Sequence, residues 1–366
     1  MIETTLAERY LMERTFRNVM ILGAASFALI VSIDFLEALR QVSNRPDAGV
    51  VTAASLTFLR APQLLMILSP FIMLFGTLMA VAQMARSLEI AVLRAAGFSV
   101  WRIVGAPVVL ALIIGTILAV AIDPITTRMS LSSDNLLNDV RGSGSNAEKT
   151  FRRGVWLRQE QEDGVILIHA DKVRYEKNVM QNVFIWRKSN DGVFIERFDA
   201  QRAVFEDQQL TLKNAVRSAP GGDVPSAVGD VTFATTFELD DLVLANTRPE
   251  SLSLWTLPRL MERIGGAGIP LEPFTLRLHE LFAMPLKLAA MAVIGCVFAL
   301  PIHARSGGTF RLIIYGIFAG FAAFIAIQFS SAVAEAGLVP VRIAAWTPPT
   351  IALLIGVTVL LFREDG

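Results

Sequence analysis

Two groups of three apolar runs, separated by a charged block, constrain this chain more than any other feature. Residues 19–33 carry no charge, and Phe16 and Leu36 extend that run. Residues 61–85, 103–122, 312–334 and 343–362 are also uncharged, and 281–302 carries only Lys287 near its start. A bilayer core of ~30 Å takes about 20 helical residues, so each run reads as a membrane span. Between Arg128 and Glu280 lie 41 of the 66 charged residues in 153 positions. The chain therefore reads as an α+β membrane protein: six transmembrane helices (3+3) with an inserted β domain. Residues 1–127 hold spans one to three, 128–270 the inserted domain, and 271–366 spans four to six.

Composition narrows the function. Hydrophobic residues make up 53% and charged residues 18%, with 33 Lys+Arg cancelling 33 Asp+Glu. That balance gives no basic excess for nucleic acid and no acidic tail. One cysteine, Cys296 in an apolar run, excludes a disulfide framework. Three histidines far apart in sequence (His169, His279, His303) argue against a metal centre. There is no phosphate-cradling G-x-x-x-x-G-K-[ST]. His279-Glu280 starts a zincin-like pattern, but Ala283 stands where the second histidine is needed. No catalytic residue is proposed, so work done by this chain must be driven from elsewhere.

Orientation follows from Lys/Arg in the short loops. With the N-terminus inside, inner segments hold Arg9, Arg14, Arg17, Arg86, Arg94, Arg102, Arg305, Arg311 and Arg363, and outer loops hold Arg40, Arg45, Arg60 and Arg342. Both termini are expected in the cytosol and the inserted domain outside. The segment before span one is long and mixed in charge, and no small-residue cleavage site follows Ile33, so span one reads as uncleaved.

Inside the domain the period changes to that of strands. Runs at 154–158, 165–169, 183–187, 193–198, 210–213 and 231–237 are short and β-branched or aromatic. Turn residues at 162–164, 189–192 and 220–223 separate them. This spacing predicts an antiparallel sandwich or open roll, with Trp156 and Trp186 in its core. A short helix is expected over 252–260, followed by a Gly-rich break at 265–268.

The loop between spans two and three, about 86–97, reads as a three-turn helix. Ser87 suits an N-cap, Glu89 the first turn and Gly97 the C′ position. Leu88, Val92 and Ala95 share one face, with Glu89 and Arg94 off it. Such a helix either lies on lipid headgroups or inserts into a groove of a cytosolic motor.

The spacing of Ser87, Glu89, Arg94, Ala95 and Gly97, followed by Trp101-Arg102, resembles the LptF/LptG permease family of the lipopolysaccharide-export ABC transporter. So do Asp34 to Arg40 closing span one, Met284 to Met291 opening span four, and Ala344 to Pro348 opening span six. The 3+3 layout around an exoplasmic β domain is similar too, and the first two of these stretches lean toward LptG. The resemblance implies a periplasmic β-jellyroll-like domain in a multi-pass protein of a Gram-negative inner membrane. It further implies a homologous second permease subunit and a cytosolic homodimeric ATPase that binds ATP and magnesium, this chain holding no cofactor. Lipopolysaccharide would leave the membrane through a single-span periplasmic jellyroll protein toward a periplasmic bridge. The loop helix is the ATPase-coupling element of the family, which assigns Ser87, Glu89, Val92, Arg94 and Gly97 to that contact.

Asp34, Glu37 and Arg40 fall at i, i+3 and i+6 on the outer end of span one. They either form an ordinary interfacial set, with an Arg40–Glu37 pair, or line the mouth that meets an anionic headgroup. The resemblance implies a lysine where Asp34 stands, a departure that tells against a simple basic trap. Gly316 and Gly320 form a GxxxG suited to close helix packing. Phe318 and Phe321 beside them are candidates for acyl-chain contact, since span five belongs to the family's lateral gate. Pro348-Pro349 suits a helix start. Two other functions compete: a lipoprotein-release or mechanotransmitting permease, which has four spans and its domain after the first, and a motor-less scaffold, which needs no capped loop helix.

Overall fold

The computed structural model describes residues 6–43, 49–138, 140, 150–151, 155–161, 164–174, 178–189, 193–206, 209–220, 225–235, 249–265, 271–300 and 309–364. In chain order the helices begin with α1 (Leu6–Val42), α2 (Val50–Arg86), α3 (Glu89–Ala95) and α4 (Val100–Ile117). A π turn (Leu118–Ile122) joins α4 to α5 (Asp123–Asn138). The strands are β1 (Thr150–Phe151), β2 (Val155–Gln161), β3 (Gly164–Arg174), β4 (Val179–Lys188), β5 (Phe194–Glu206), β6 (Gln209–Ser218) and β7 (Ser226–Ala234). After them come α6 (Leu257–Gly265), α7 (Glu272–Phe282), α8 (Met284–Ala299), α9 (Thr309–Glu335) and α10 (Val341–Glu364). The chain divides into two compact units, residues 1–134 with 272–366, and residues 135–271.

Among the described residues of the helical unit, five helical stretches are long and apolar enough to cross a membrane. The α7–α8 pair, bent by 49°, makes a sixth. The bend has a chemical cause. Pro285 has no N–H to donate into α7, and Ala283 bridges the break by donating to the His279 carbonyl and accepting from the Lys287 N–H (2.8 and 2.9 Å). Beyond it α8 is the axis of the unit, buried along nearly its whole length and packed against α2, α4, α9 and α10.

Two of the prolines inside the spans are handled by hydroxyls. Pro70 leaves the Met66 carbonyl without its helical donor, and the Ser69 hydroxyl donates to it at 2.7 Å. Pro348 and Pro349 lie inside α10, not at its start, because Val341 to Thr347 already form helical turns. The carbonyl that Pro348 leaves free is that of Ala344, and Ser330 of α9 donates to it at 3.0 Å. An unsatisfied carbonyl in hydrocarbon is costly, so a neighbouring hydroxyl makes the proline tolerable.

The second unit is one antiparallel sheet. Consecutive strands are neighbours from β3 to β7, and β1 and β2 share the free edge of β3. Register aligns the apolar side chains into a buried ladder: Ile168 opposite Ile185, Ile185 opposite Phe198, and Ala203 opposite Leu212. At one end of that face Glu196 is buried and accepts from both Arg187 (2.7 Å) and Arg217 (2.6 Å). The Gln159 amide on β2 donates to the Ala234 carbonyl on β7 at 3.2 Å, so the sheet curls until its outer strands meet. Of the two layouts the sequence allows, the described strands make the roll.

Trp186 corrects the sequence reading. It alternates with buried Ile185 and so faces the other side, where Arg197 lies 5.4 Å above its ring and 5.0 Å above that of Phe184. The side chain of Trp156 lies outside the described residues. The helix expected over 252–260 begins at Leu257, because Pro258 suits a first turn where its missing N–H has no partner anyway. Residues 266–268 of the Gly-rich break lie outside the described residues.

Candidate docking site on the loop between α2 and α4

The loop is built from α2's last turn, α3 and α4's first turn. The chain does not enter α3 through a side-chain cap. Leu88 takes a left-handed φ of +62°, and no hydroxyl or carboxylate caps the helix there. This turn points the Ser87 hydroxyl at the Glu89 carboxylate, to which it donates at 2.7 Å, instead of at the N–H groups of α3. It also shortens α3 to 7 residues, two turns where the sequence suggested three. The far end is closed by Gly97 at φ +89°. The Gly97 N–H donates to the Arg94 carbonyl and the Phe98 N–H to the Leu93 carbonyl, both at 3.0 Å. That bonding is the Schellman motif, which needs a residue comfortable at positive φ.

The two faces of α3 differ sharply. Ile90 is buried and joins Leu11, Met84, Val100 and Ile103 in one apolar cluster. Leu88 and Val92 are each 67% exposed, and Ala91, Arg94 and Ala95 are exposed beside them. An apolar patch flanked by an arginine and a carboxylate has the composition of a protein interface.

Glu89 is held ready at its edge. Besides Ser87, the Tyr10 hydroxyl of α1 donates to it at 2.9 Å. The Ser87 hydrogen bond holds its carboxyl below the usual glutamate range against the opposing effect of burial, with the Tyr10 bond and the Arg14 charge adding to the shift. A carboxylate has about four lone-pair sites, so two bonds leave room for an incoming cation. Arg102, one turn into α4, reaches Glu8 of α1 at 2.9 Å and lies 4.9 Å from the Phe98 ring. Sequence reasoning missed Glu8 and Tyr10: they lie 94 and 79 residues from their partners, and no local pattern links them.

The other predicted residues lie elsewhere. Asp34 is half-buried, with its Oδ2 lacking a hydrogen-bond partner. Glu37 accepts from Gln41 at 3.1 Å rather than from Arg40, which stays exposed. Gln41 in turn accepts from Arg60 (3.4 Å), whose Nε donates to Ser133 at 2.9 Å, so Arg60 ties α1, α2 and α5 together. On α9, Gly316 and Gly320 meet this chain's own helices. A Cβ on Gly316 would lie 2.6 Å from Phe298, and one on Gly320 would lie 2.1 Å from Leu74. Phe318 is exposed, and Phe321 is half-exposed with its ring centre 5.7 Å from that of Phe71.

A helical unit of five spans, six with the bent pair, and an inserted antiparallel sheet define a multi-pass membrane protein. Its family model settles which kind: the lipopolysaccharide export system permease LptF/LptG family matches residues 9–362, and the chain belongs to it. No curated protein matches the chain. Membership makes it a multi-pass inner-membrane protein of lipopolysaccharide export.

Proposed function

We propose that this chain is the LptG-like permease subunit of an ABC-type exporter, driven by a separate cytosolic ATPase that docks on α3. It pairs with a homologous second permease on a homodimeric ATPase and draws lipopolysaccharide from the outer leaflet of the inner membrane. The lipid then passes through a single-span jellyroll protein to a periplasmic bridge. Both termini and α3 are cytosolic and the sheet unit is periplasmic, as the arginine count of the short loops supports.

The observation that carries this reading is the exposed Leu88–Val92 face beside a carboxylate already ionised and aimed by Ser87 and Tyr10. A helix lying on headgroups has no need of an acid fixed by two donors. In the docked complex Leu88 and Val92 fill a groove of the ATPase, and Glu89 pairs with a cation there.

The test is purification from solubilised membranes through a C-terminal tag, with Glu89→Lys alongside the native chain. A nucleotide-binding subunit, a second six-span homologue and lipopolysaccharide should come with the native chain, and Glu89→Lys should abolish stimulation of the ATPase. Native ATPase rates in that variant would refute the docking assignment. Recovery of the chain alone would refute the partnership with a second permease and an ATPase.

A further inference from the structure

The cytosolic overhang of α1 is tied to both sides of the docking loop, to α3 and to the start of α4. Residues 6–18, about 20 Å of helix at 1.5 Å per residue, precede the membrane run. Three contacts hold them. Tyr10 donates to Glu89 on α3 (2.9 Å). Glu8 takes Arg102 of α4 through both Nε and Nη2 (3.0 and 2.9 Å). Leu11, fully buried, packs in the cluster of Ile90, Val100 and Ile103. Farther along, Thr15, Asn18 and Val19 are buried as well, but no residue between Val19 and Ile30 is. Span one is therefore held at both ends, here and again at Ala38 and Val42, and packs along α2 between them.

The helices differ in stiffness in a way that makes this grip matter. Spans two and three are joined covalently to α3, yet both contain joints. Pro62 and Pro70 interrupt the hydrogen bonding of α2, and Pro107 and the π turn at Leu118–Ile122 do so beyond α3 on the other side. Kinks and π turns are where helices bend. By contrast α1 runs 37 residues with no proline. A push on α3 meets joints in both of its covalent neighbours and no proline joint in α1.

We propose that the α1 overhang is a lever arm that carries displacement of α3 into span one, with Tyr10 and Glu8 as its positioning residues. The proposal rests on the reading of α3 as the ATPase-docking helix. Tyr10 fixes the arm to the carboxylate that meets the partner. The Glu8–Arg102 pair fixes it to the start of span three, so the arm cannot swivel about one contact. The Leu11 cluster keeps the arm seated on the loop while both polar contacts hold its direction.

Two measurements test it. Spin labels at Glu13 and Ala96, both exposed, report the spacing of arm and loop in the full chain in lipid nanodiscs. Cys296, the chain's one cysteine, is buried and stays unlabelled. The distance distribution should be narrow in the native chain, broader in E8R and in Y10F, and narrow again in the charge-swapped pair E8R/R102E. A width unchanged by E8R and Y10F, or no recovery in the swap, overturns the attachment, whatever the partner is.

The second measurement is lipid released per ATP hydrolysed by the reconstituted complex. It should fall about two- to fivefold in E8R, R102E and Y10F, the factor expected for one exposed ion pair or hydrogen bond, and recover in the swap. A merely structural role would lower the melting temperature without restoring the ratio in the swap. If E89K stops ATPase stimulation but the arm variants keep the native ratio, α3 docks the ATPase and the lever is wrong. If E89K changes nothing, the docking reading fails, and the label widths still decide whether the arm is fixed.

Discussion

Asp123 and Arg277 form the ion pair whose removal should cost the helical unit most. Asp123 is wholly buried where the π turn gives way to α5, and Arg277 of α7 donates to it at 2.7 Å. At an effective dielectric constant of 20 the bare attraction at that distance is about 6 kcal/mol. Desolvating two charges costs several kcal/mol each, so the pair as a whole contributes little net stability. Removing one partner is different. Asp123→Ala leaves a guanidinium whose Nε already lacks a hydrogen bond, and the cost should be about 3–5 kcal/mol. Arg277→Met takes that guanidinium from a buried carboxylate and should cost a similar amount, whereas the double variant Asp123→Leu/Arg277→Met should lose less than either single. The assay is reversible unfolding of the purified chain in mixed micelles, run as a double-mutant cycle. Singles that each cost under about 1 kcal/mol, or a double equal to their sum, would refute the reasoning, since additivity is the mark of independent sites.

Two further predictions concern packing and pH. Gly320→Ala should destabilise the helical unit by about 1–3 kcal/mol, the usual cost of overpacking, because its Cβ would sit 2.1 Å from Leu74. Phe318→Ala, at a side chain 69% exposed, should stay within about 0.5 kcal/mol in the same unfolding assay. In the sheet unit the Asp230 carboxyl is held below the usual range by the Lys213 hydrogen bond, and next by the Asn214 N–H. A depressed carboxyl stabilises above the ordinary aspartate value of about 3.9, and that contribution is lost as pH falls through the lower folded value. Amide exchange across β6–β7, relative to the intrinsic rate at each pH, should therefore accelerate on acidification below about pH 4 in the native chain. In Asp230→Asn it should be faster at neutral pH and flatter with pH, and parallel profiles would refute the role.

The sequence makes legible whatever repeats or lasts over many residues. The spans are runs of about 20 uncharged positions, and the strands alternate apolar and polar residues, so both emerge from composition and period. The exposed face of α3 was equally readable, since Leu88, Val92 and Ala95 follow helical spacing and all three are exposed. Local details failed where two rules competed for one residue. Ser87 satisfies the statistics of an N-cap, but it also sits one residue before a left-handed turn at Leu88, and that turn decides where its hydroxyl points. Pro348-Pro349 satisfies the rule for a first turn, yet a serine on another helix lets them sit inside α10. The bend at Ala283 came unannounced for the same reason, because Pro285 next to an otherwise continuous apolar run reads as one span until its hydrogen bonds are traced.

What no period can reveal is a contact made by single residues far apart in the chain, and the docking loop depends on two of these. Tyr10 and Glu89 are each unremarkable in their own helices, as are Glu8 and Arg102. Their meaning comes from α1 continuing as helix well before the apolar run begins, which places its first turns beside α3 and α4. One sequence trait does point toward that arrangement: residues 6–18 hold a polar helix too long to be a mere leader to a span and rich in both charges. A stiff polar extension on that span has a physical consequence. Its position is set at both ends, by what binds the extension and by the burial of Ala38 and Val42, so the docking loop shares in fixing where span one sits.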